Sequence, residues 1–384
     1  MERARIEKLV PGGQGLATLE SGKKAFLWNA LPGELVEFET TKNKRNYCEG
    51  IATQIIEAAP ERVSPKDDCY LATSPWQIMN YEAELQHKTA LVKECFAQQH
   101  LDVEVLPTIT DGKDFFYRNK MEYSLYWDND EAKIYPAFHI RGTHRKTPVK
   151  TSSIERPEIF TKAQEIIADL NAQHAEARTY QSLLIRCDQQ GNTSAALFEN
   201  GKSHPVMDNL HDQLMEQSYT YSPNGFFQIN LPVYEMVLKN IAEQIKTDKV
   251  LDLYAGVGSI GLSVARDKDL TLVEVNAAAF AEMQNNAKGT NAECVLAKSE
   301  DVTDYITPDC TVILDPPRAG CDTKLIDKLN EIKPQQIIYL SCNPITQARD
   351  IAALAGNYHL SALQPYNFFP RTPHIENLII LTRQ

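Results

Sequence analysis

No apolar run in the 384 residues reaches the roughly 18 to 20 that a bilayer-spanning helix requires. The first residues, Met1 to Val10, alternate charged with apolar side chains and lack the apolar core of a signal peptide. Neither a membrane anchor nor a secretory signal is expected. The cysteines at Cys48, Cys69, Cys95, Cys187, Cys294, Cys310, Cys321 and Cys342 lack the spacing of a disulfide framework, which points to a reducing compartment, the cytoplasm. Basic excess is missing as well. The formal net charge of −12 excludes a polyanion binder that works with its whole surface and leaves room only for a local basic patch. Internal repeats and low-complexity segments are absent. Hydrophobic residues at 43% and charged residues at 23% then describe an ordinary folded chain, long enough for two or three domains.

Three regions follow from the patterning. Residues 1–60 read as short strands broken by turns at Pro11 to Gly15 and Leu31 to Gly33, the spacing of a small β-barrel, with any small all-β module as the alternative. Residues 61–215 mix types. Tyr81 to Gln98 has helical apolar spacing, Met121 to Tyr126 alternates like a strand, and Leu183 to Arg186 with Ser194 to Phe198 flank a hairpin turn. Within this region the run from Lys133 to Lys150 carries Lys133, Arg141, Arg145, Lys146 and Lys150 with His139 and His144 and no acidic residue. It is a candidate phosphate-contacting face, or else a solvated basic surface. Residues 216–384 alternate strands with helices, predicting a Rossmann-like α/β domain. Its strands are expected at Val250 to Tyr254, Thr271 to Val275, Thr311 to Leu314, Gln336 to Leu340, Tyr358 to Leu363 and Asn377 to Leu381.

Four motifs of that last region carry chemistry. Val250-Leu-Asp-Leu-Tyr-Ala-Gly-Val-Gly-Ser-Ile-Gly261 joins a strand to a helix through glycines that let a ligand approach the backbone, and Glu274 at the next strand end suits a ribose diol. A nucleoside-containing cofactor is implied. Gly256, Gly258 and Gly261 also satisfy the dinucleotide fingerprint, so an NAD-dependent oxidoreductase competes, while Asp252 and the downstream Asp315-Pro-Pro-Arg318 tilt the choice toward S-adenosylmethionine. Asp315 follows an apolar strand, where open α/β sheets bind ligands, and two prolines stiffen the loop behind it. Ser341-Cys342-Asn343-Pro344 leaves the next strand in the same way, which suits a nucleophile whose thiolate is favoured by amide dipoles; a small core cysteine is the plain alternative. Finally, His374 and Glu376 stand two apart in Phe368-Phe-Pro-Arg-Thr-Pro-His-Ile-Glu376 and would share a face in extended chain.

In this order, and preceded by Asn224-Gly-Phe-Phe-Gln-Ile-Asn230, these pieces resemble the RNA uridine C5-methyltransferase family over nearly the whole chain. The resemblance implies a TRAM-like, RNA-binding barrel at 1–60, a central α/β domain at 61–215 and a class I methyltransferase domain at 216–384. It implies methylation of carbon 5 of uridine in ribosomal or transfer RNA, with S-adenosyl-L-methionine as methyl donor. It makes Cys342 the nucleophile and Glu376 the general base. Gln228, Tyr254, Gly256, Gly258, Ser259, Glu274 and Asp315 become cofactor contacts, and Phe227, Arg318, Asn343 and His374 substrate contacts. Ribosomal RNA is favoured over transfer RNA because the barrel accompanies the catalytic domain. Many members hold a four-iron cluster on cysteines. Here the corresponding positions are Pro65, Leu71, Ser74 and the neighbourhood of Thr151 to Ser153, so neither an iron–sulfur cluster nor another metal is expected. Ser259 replaces a frequent asparagine, and Ser299 stands where an acidic adenine contact is expected, with Glu300 beside it. A monomer without an obligate protein partner is the default. A catalytically inactive RNA-binding homologue remains the other alternative.

Overall fold

The computed structural model describes residues 2–143, 145–203 and 205–384; His144 of the basic run lies outside the described residues. The chain divides into two compact units, Met1–His87 with Gly112–Met207 and Phe369–His374, and Lys88–Asp111 with Asp208–Phe368 and Ile375–Gln384.

In the first unit, β1 (Glu2–Leu9), β2 (Gly15–Thr18), β3 (Lys24–Trp28), β4 (Leu35–Asn43) and β5 (Tyr47–Glu57) close into a barrel in the order β1-β2-β3-β5-β4. Closure removes sheet edges, and alternate residues such as Ala17, Ala25, Leu27, Val36 and Phe38 fill the interior. The charges at Lys42 to Arg45 do not interrupt the pattern. They ride the exposed tip of the β4–β5 hairpin, so both strands run longer than their apolar cores. After α1 (Tyr70–Thr73) and α2 (Tyr81–Ala97), which starts in this unit, comes an antiparallel sheet. Its strands are β6 (Lys120–Asp128), β7 (Lys133–His139), β8 (Lys146–Pro148), β9 (Tyr180–Cys187) and β10 (Thr193–Glu199), in the order β10-β9-β6-β7-β8. Helix α3 (Pro157–Ala172) packs on this sheet with Ile159, Ala163, Ile167 and Leu170, one stripe at helical spacing. The basic run is thus the β7–β8 hairpin.

The second unit begins with the hairpin β11 (Leu210–Leu214) and β12 (Gln217–Tyr221). It continues through α4 (Leu231–Gln244), β13 (Lys249–Leu253), α5 (Ser259–Val264), β14 (Asp269–Glu274), α6 (Ala277–Asn286) and β15 (Glu293–Leu296). Then follow β16 (Thr311–Leu314), α7 (Thr323–Ile332), β17 (Gln336–Ser341), α8 (Pro344–Leu354), β18 (Tyr358–Leu360), β19 (Gln364–Tyr366) and β20 (Glu376–Arg383). The sheet order is β15-β14-β13-β16-β17-β20-β18, with β19 also pairing to β20. Strands β13 to β17 are parallel, and β20 enters antiparallel beside β17. Every residue of β16 and β17 is buried, as expected of strands covered on both faces. The fold is the expected Rossmann-like one, with two differences in its strands. Edge strand β15 is half exposed and only four residues long, so it has no apolar run to reveal it. The strand expected at Tyr358 to Leu363 is two short strands on β20, because the chain leaves the sheet between Leu360 and Gln364.

Candidate active site

Strand order reverses between β13 and β16, and open α/β sheets bind ligands in the crevice at the carboxyl ends of the strands around such a point. Leu253 is level with Leu314, and Leu314 with Tyr339. Tyr254 and Asp315 therefore leave their strands at the same edge. Cys342 follows β17 there. Strand β20 runs the other way with Ser341 opposite Asn377, so register alone places Glu376 opposite Cys342. Four chemistry-bearing side chains that lie far apart in sequence come to one sheet edge.

The turn after β13 is tightly wound. Tyr254, Gly256 and Gly258 have φ of 66°, 58° and 84°, and Tyr254 is a residue that adopts such backbone only under constraint. Glu274, at the end of β14, supplies part of the constraint: its carboxylate accepts from Gly256 N at 2.8 Å and from Asn276 N at 2.6 Å. The Tyr254 hydroxyl engages the Ser299 and Cys321 side chains. Ser259 Oγ lies 2.7 Å from the Tyr234 hydroxyl. Beneath the loop, Asp252 is fully buried; its Oδ2 accepts from Gly261 N at 2.8 Å, and Oδ1 has no partner among the described residues. Desolvation pushes its pKa up to about 8. A Cβ on Gly256 would meet nothing within 4 Å, so the loop mouth is open where a ligand needs backbone approach. The residues present fit a nucleoside-type cofactor, with Glu274 for its ribose. Helix α5, only six residues long, offers little helix dipole for the pyrophosphate of a dinucleotide.

Around Cys342 the electrostatics are strained. Burial above all, with Glu376 and Asp315 adding to it, raises the pKa of its thiol to about 11, against the opposing charge and hydrogen bond of Arg318. Burial pushes Asp315 to about 7. Glu376, 5% exposed, is driven well above the ordinary carboxyl range by burial and by Asp315, with Arg318 again opposing. At neutral pH the resting site therefore holds Cys342 as a thiol and an Asp315 poised near its midpoint, beside a Glu376 carboxyl held above its ordinary range. A side chain that must change protonation during a reaction is placed where small changes in surroundings move its proton.

Arg318 is held by Asn343, which the motif reading placed against substrate, and by Thr346, which it did not single out. Its carbonyl accepts from Asn343 Nδ2 at 2.8 Å and from Thr346 Oγ1 at 3.1 Å. Asn343 Oδ1 caps α8 by accepting from Ile345 N at 3.2 Å. Asn343, expected to touch substrate, thus has both ends of its amide engaged in holding the loop. Two residues on, Gly320 has φ of 82°, and a Cβ there would lie 2.5 Å from Arg349 and 2.6 Å from Asp350. Asp350, 3% exposed, accepts from Cys321 N at 2.9 Å and from the Tyr339 hydroxyl at 2.8 Å and pairs with Arg349. One buried carboxylate on α8 therefore ties the loop after β16 to strand β17. No local motif announced it, since Arg349-Asp350 reads as ordinary helix surface.

The remaining expectations divide. Gln228 is buried in the second unit. Phe227 is corrected: it is 2% exposed, stacked on Tyr221 with centroids 4.1 Å apart, and belongs to the core. Phe226, 73% exposed, is the ring left to face a ligand. His374 falls in the first unit, its ring edge-on to Phe369 at 5.6 Å. Where the resemblance places cluster ligands, Asp67 accepts from Ser153 Oγ at 2.7 Å, Ser153 N at 3.1 Å and Gln77 Nε2 at 2.8 Å. Cys69 lies 3.8 Å from the Thr151 carbonyl. Among the described residues no group of three or more His, Cys, Asp or Glu is arranged to hold a metal ion, and no helix is long and apolar enough to cross a membrane.

Residues 296–384 match the family model described as tRNA (Uracil-5-)-methyltransferase, and residues 234–329 match the methyltransferase small domain. The chain is 28% identical to an uncharacterized RNA methyltransferase of Lactiplantibacillus plantarum and also 28% identical to one of Bacillus cereus; each match covers 99% of this chain and 96% of the relative. Its fold matches that of Pyrococcus abyssi tRNA (uracil-54, C5)-methyltransferase, solved with S-adenosyl-L-homocysteine, with a TM-score of 0.78 at 23% identity over 99% of this chain and 100% of the other. The chain is thus similar to RNA methyltransferases over nearly its whole length, and over residues 296–384 to the tRNA (Uracil-5-)-methyltransferase family model.

Proposed function

We propose that this protein methylates carbon 5 of a uridine in RNA with S-adenosyl-L-methionine, through a covalent adduct between Cys342 and carbon 6 of the base. The observation that carries the reading is the convergence of Cys342, Glu376, Asp315 and Arg318 at one sheet edge. Carbon 5 of uracil is a poor nucleophile, and a thiolate added at carbon 6 makes it an enolate carbon. Cys342 rests as a thiol, so its proton must leave before or during attack; ionised Asp315 is a neighbouring acceptor, and Arg318 favours the resulting anion. The bound cofactor supplies an electrophilic methyl group. Gly256, Glu274, Tyr254 and Gln228 would hold it. Glu376 must then be ionised to take the hydrogen from carbon 5, after which the carbon 6–sulfur bond breaks, the double bond re-forms and Cys342 is released. Access to the ring requires the uridine to be unstacked, with Phe226 as the exposed ring available to it.

The preference for ribosomal over transfer RNA rested on the barrel. The Pyrococcus abyssi protein, a transfer RNA enzyme by its description, is matched over its full length, so the barrel does not separate the two substrates. The deciding experiment incubates the protein with S-adenosylmethionine and unmodified transfer or ribosomal RNA transcripts, digests the RNA and measures 5-methyluridine by mass spectrometry. The product is expected with one RNA class and absent with Cys342→Ala. Absence with both classes, while RNA and S-adenosylhomocysteine still bind, favours the inactive-homologue reading. Tight binding of NADH in place of S-adenosylhomocysteine overturns the cofactor assignment.

A further inference from the structure

The basic run, legible in the sequence as a candidate phosphate-contacting face, is occupied within its own unit at two of its cations. Arg141 lies over the Trp28 ring at 4.5 Å and donates to the Leu71 carbonyl at 2.6 Å. Lys150 is 3.5 Å from Glu131 and faces the Tyr135 ring. Lys146 takes part in something different. Its Nζ donates to the Leu125 carbonyl at 3.0 Å, which holds the ammonium on the wall of an open cleft of about 500 Å³ in the first unit. The cleft lies where the end of β6, the start of β8 and the turn into β9 meet.

Its lining is selective. Trp127, 42% exposed, presents a large ring to the cleft, a face on which a base can stack. Tyr180 adds a second aromatic, Gln181 and Asn200 add amides, and none of the lining side chains is acidic. Arg178 holds 85% of its side chain in solvent and pairs at 2.7 Å with a Glu176 that is itself 63% exposed. A screened surface pair of that kind contributes little, so the guanidinium is readily exchanged to another anion. Asn200 Nδ2 donates to the Arg178 carbonyl at 2.8 Å and fixes the turn that carries it. The volume is within the range of small-ligand sites, roughly 300 to 1,000 Å³, and the combination of a flat exposed ring, two cations and amides is that of a nucleotide-binding surface.

We propose that this cleft holds an unpaired nucleotide of the RNA, its base stacked on Trp127 and its phosphate between Arg178 and Lys146. The identity of the partner as RNA rests on the function proposed above; the site itself does not belong to the methyl-transfer chemistry. Single-stranded RNA fits and duplex does not, because a base enters a stack with Trp127 only when it is out of its own.

The test measures fluorescence anisotropy of a labelled uridine-rich single-stranded oligoribonucleotide, alone and annealed to its complement, with the full chain and its Trp127→Ala, Trp127→Phe and Arg178→Glu variants. Melting temperature and S-adenosylhomocysteine binding serve as controls for folding. Trp127→Ala is expected to weaken single-strand binding about tenfold, Trp127→Phe to fall between it and the parent, and Arg178→Glu to lower the slope of log K against log salt by about one. In methylation assays the same variants raise KM for RNA and leave kcat unchanged. Equal single-strand binding by parent and Trp127→Ala overturns the stacking site, and so does loss in Arg178→Glu alone, which describes a purely electrostatic footprint. The two readings fail separately. A parent that forms 5-methyluridine while its variants keep their KM refutes the cleft only; a parent that forms none but shows Trp127-dependent binding refutes the methylation and keeps the cleft.

Discussion

Among the described residues each unit sets a cysteine among carboxylates, Cys69 in the first and Cys342 in the second, and the two clusters differ in how fully donors meet those carboxylates. Around Cys69, burial raises the thiol to about 12, yet the carboxylates are matched by donors. Asp67 takes three hydrogen bonds, and Glu155 accepts from Ser152 Oγ at 2.5 Å and from the Tyr123 hydroxyl at 2.5 Å. Around Cys342, burial pushes up the carboxyls of Asp315 and Glu376, Asp315 pushes Glu376 up further, and the Arg318 guanidinium opposes the trend at Glu376 and Cys342. A satisfied buried network fixes a fold, whereas strained titratable groups at a sheet edge are the means of moving protons. Hydrogen bonds among Asp67, Ser153, Gln77 and Ser74 join the segment before α2 to the segment before α3.

The largest contrast is chemical. Cys342→Ser is expected to reduce 5-methyluridine formation by about a thousandfold or more, as removal of a covalent nucleophile does. Cys69→Ser should leave the rate within about twofold. Equal losses in both variants, read by mass spectrometry of digested RNA, would erase the distinction. Stability should show the reverse. Asp67→Ala leaves Ser153 and Gln77 without their buried acceptor and is expected to cost about 2 to 3 kcal/mol, seen as a clear drop in melting temperature. Asp315→Asn is expected to abolish methylation without lowering the melting temperature at pH 8. The sign follows from linkage: a folded pKa of about 7, raised above the unfolded value near 3.9, means that stability is lost as pH rises through 7, and asparagine removes that loss. A melting temperature for Asp315→Asn well below that of the parent at pH 8 would place this carboxylate with the structural cluster.

Access and charge sharpen the comparison further. Cys342 is partly exposed and Cys69 is buried. Alkylation by iodoacetamide, followed by peptide mass spectrometry, should modify Cys342 and spare Cys69. The rate should climb about tenfold per pH unit between about pH 7 and 9, since a thiol with a pKa near 11 is far from its midpoint throughout. Arg318→Met removes the group that favours the thiolate, so modification at pH 8 should slow several-fold. A flat pH profile would mean that the thiolate is already formed and that the carboxylates do not restrain it.

These contrasts also show which parts of the molecule the sequence discloses. Cys342, Asp315 and Glu376 are legible because a nucleophile or carboxylate at a strand end, with a proline within three residues, is a local pattern that sheet topology turns into a site. The barrel and the parallel sheet are legible from alternation and apolar runs. Phe227 and Phe226 are adjacent and chemically identical, so only packing against Tyr221 distinguishes core from ligand wall. The basic run is only partly legible for a related reason: charge is visible in sequence, but a partner such as Trp28, more than a hundred residues from Arg141, is not. Networks built from single polar residues, such as Asp67 with Ser153, have no period and no motif and appear only when the chain is folded.

The smallest effect expected is the one that tests how the active cluster is held in its strained state. Asp350 does not belong to either set of titrating groups. It accepts from Cys321 N and the Tyr339 hydroxyl, and its neighbour Arg349 donates to the Ala319 carbonyl at 3.0 Å. The backbone between Asp315 and Cys321 is thereby clamped, while Asn343 and Thr346 fix the carbonyl of Arg318. Asp350→Asn keeps the shape but exchanges one acceptor oxygen for a donor, so either the Cys321 amide or Arg349 loses its partner, and the loop gains freedom without losing a reacting group. The expected result is a loss of about three- to tenfold in kcat, with unchanged binding of S-adenosylhomocysteine, and a shift of the Cys342 alkylation rate toward that of Arg318→Met. A purely structural role would lower the melting temperature and leave the alkylation rate alone. Movement of the alkylation rate therefore identifies Asp350 as the residue through which α8 sets the charge beside the nucleophile.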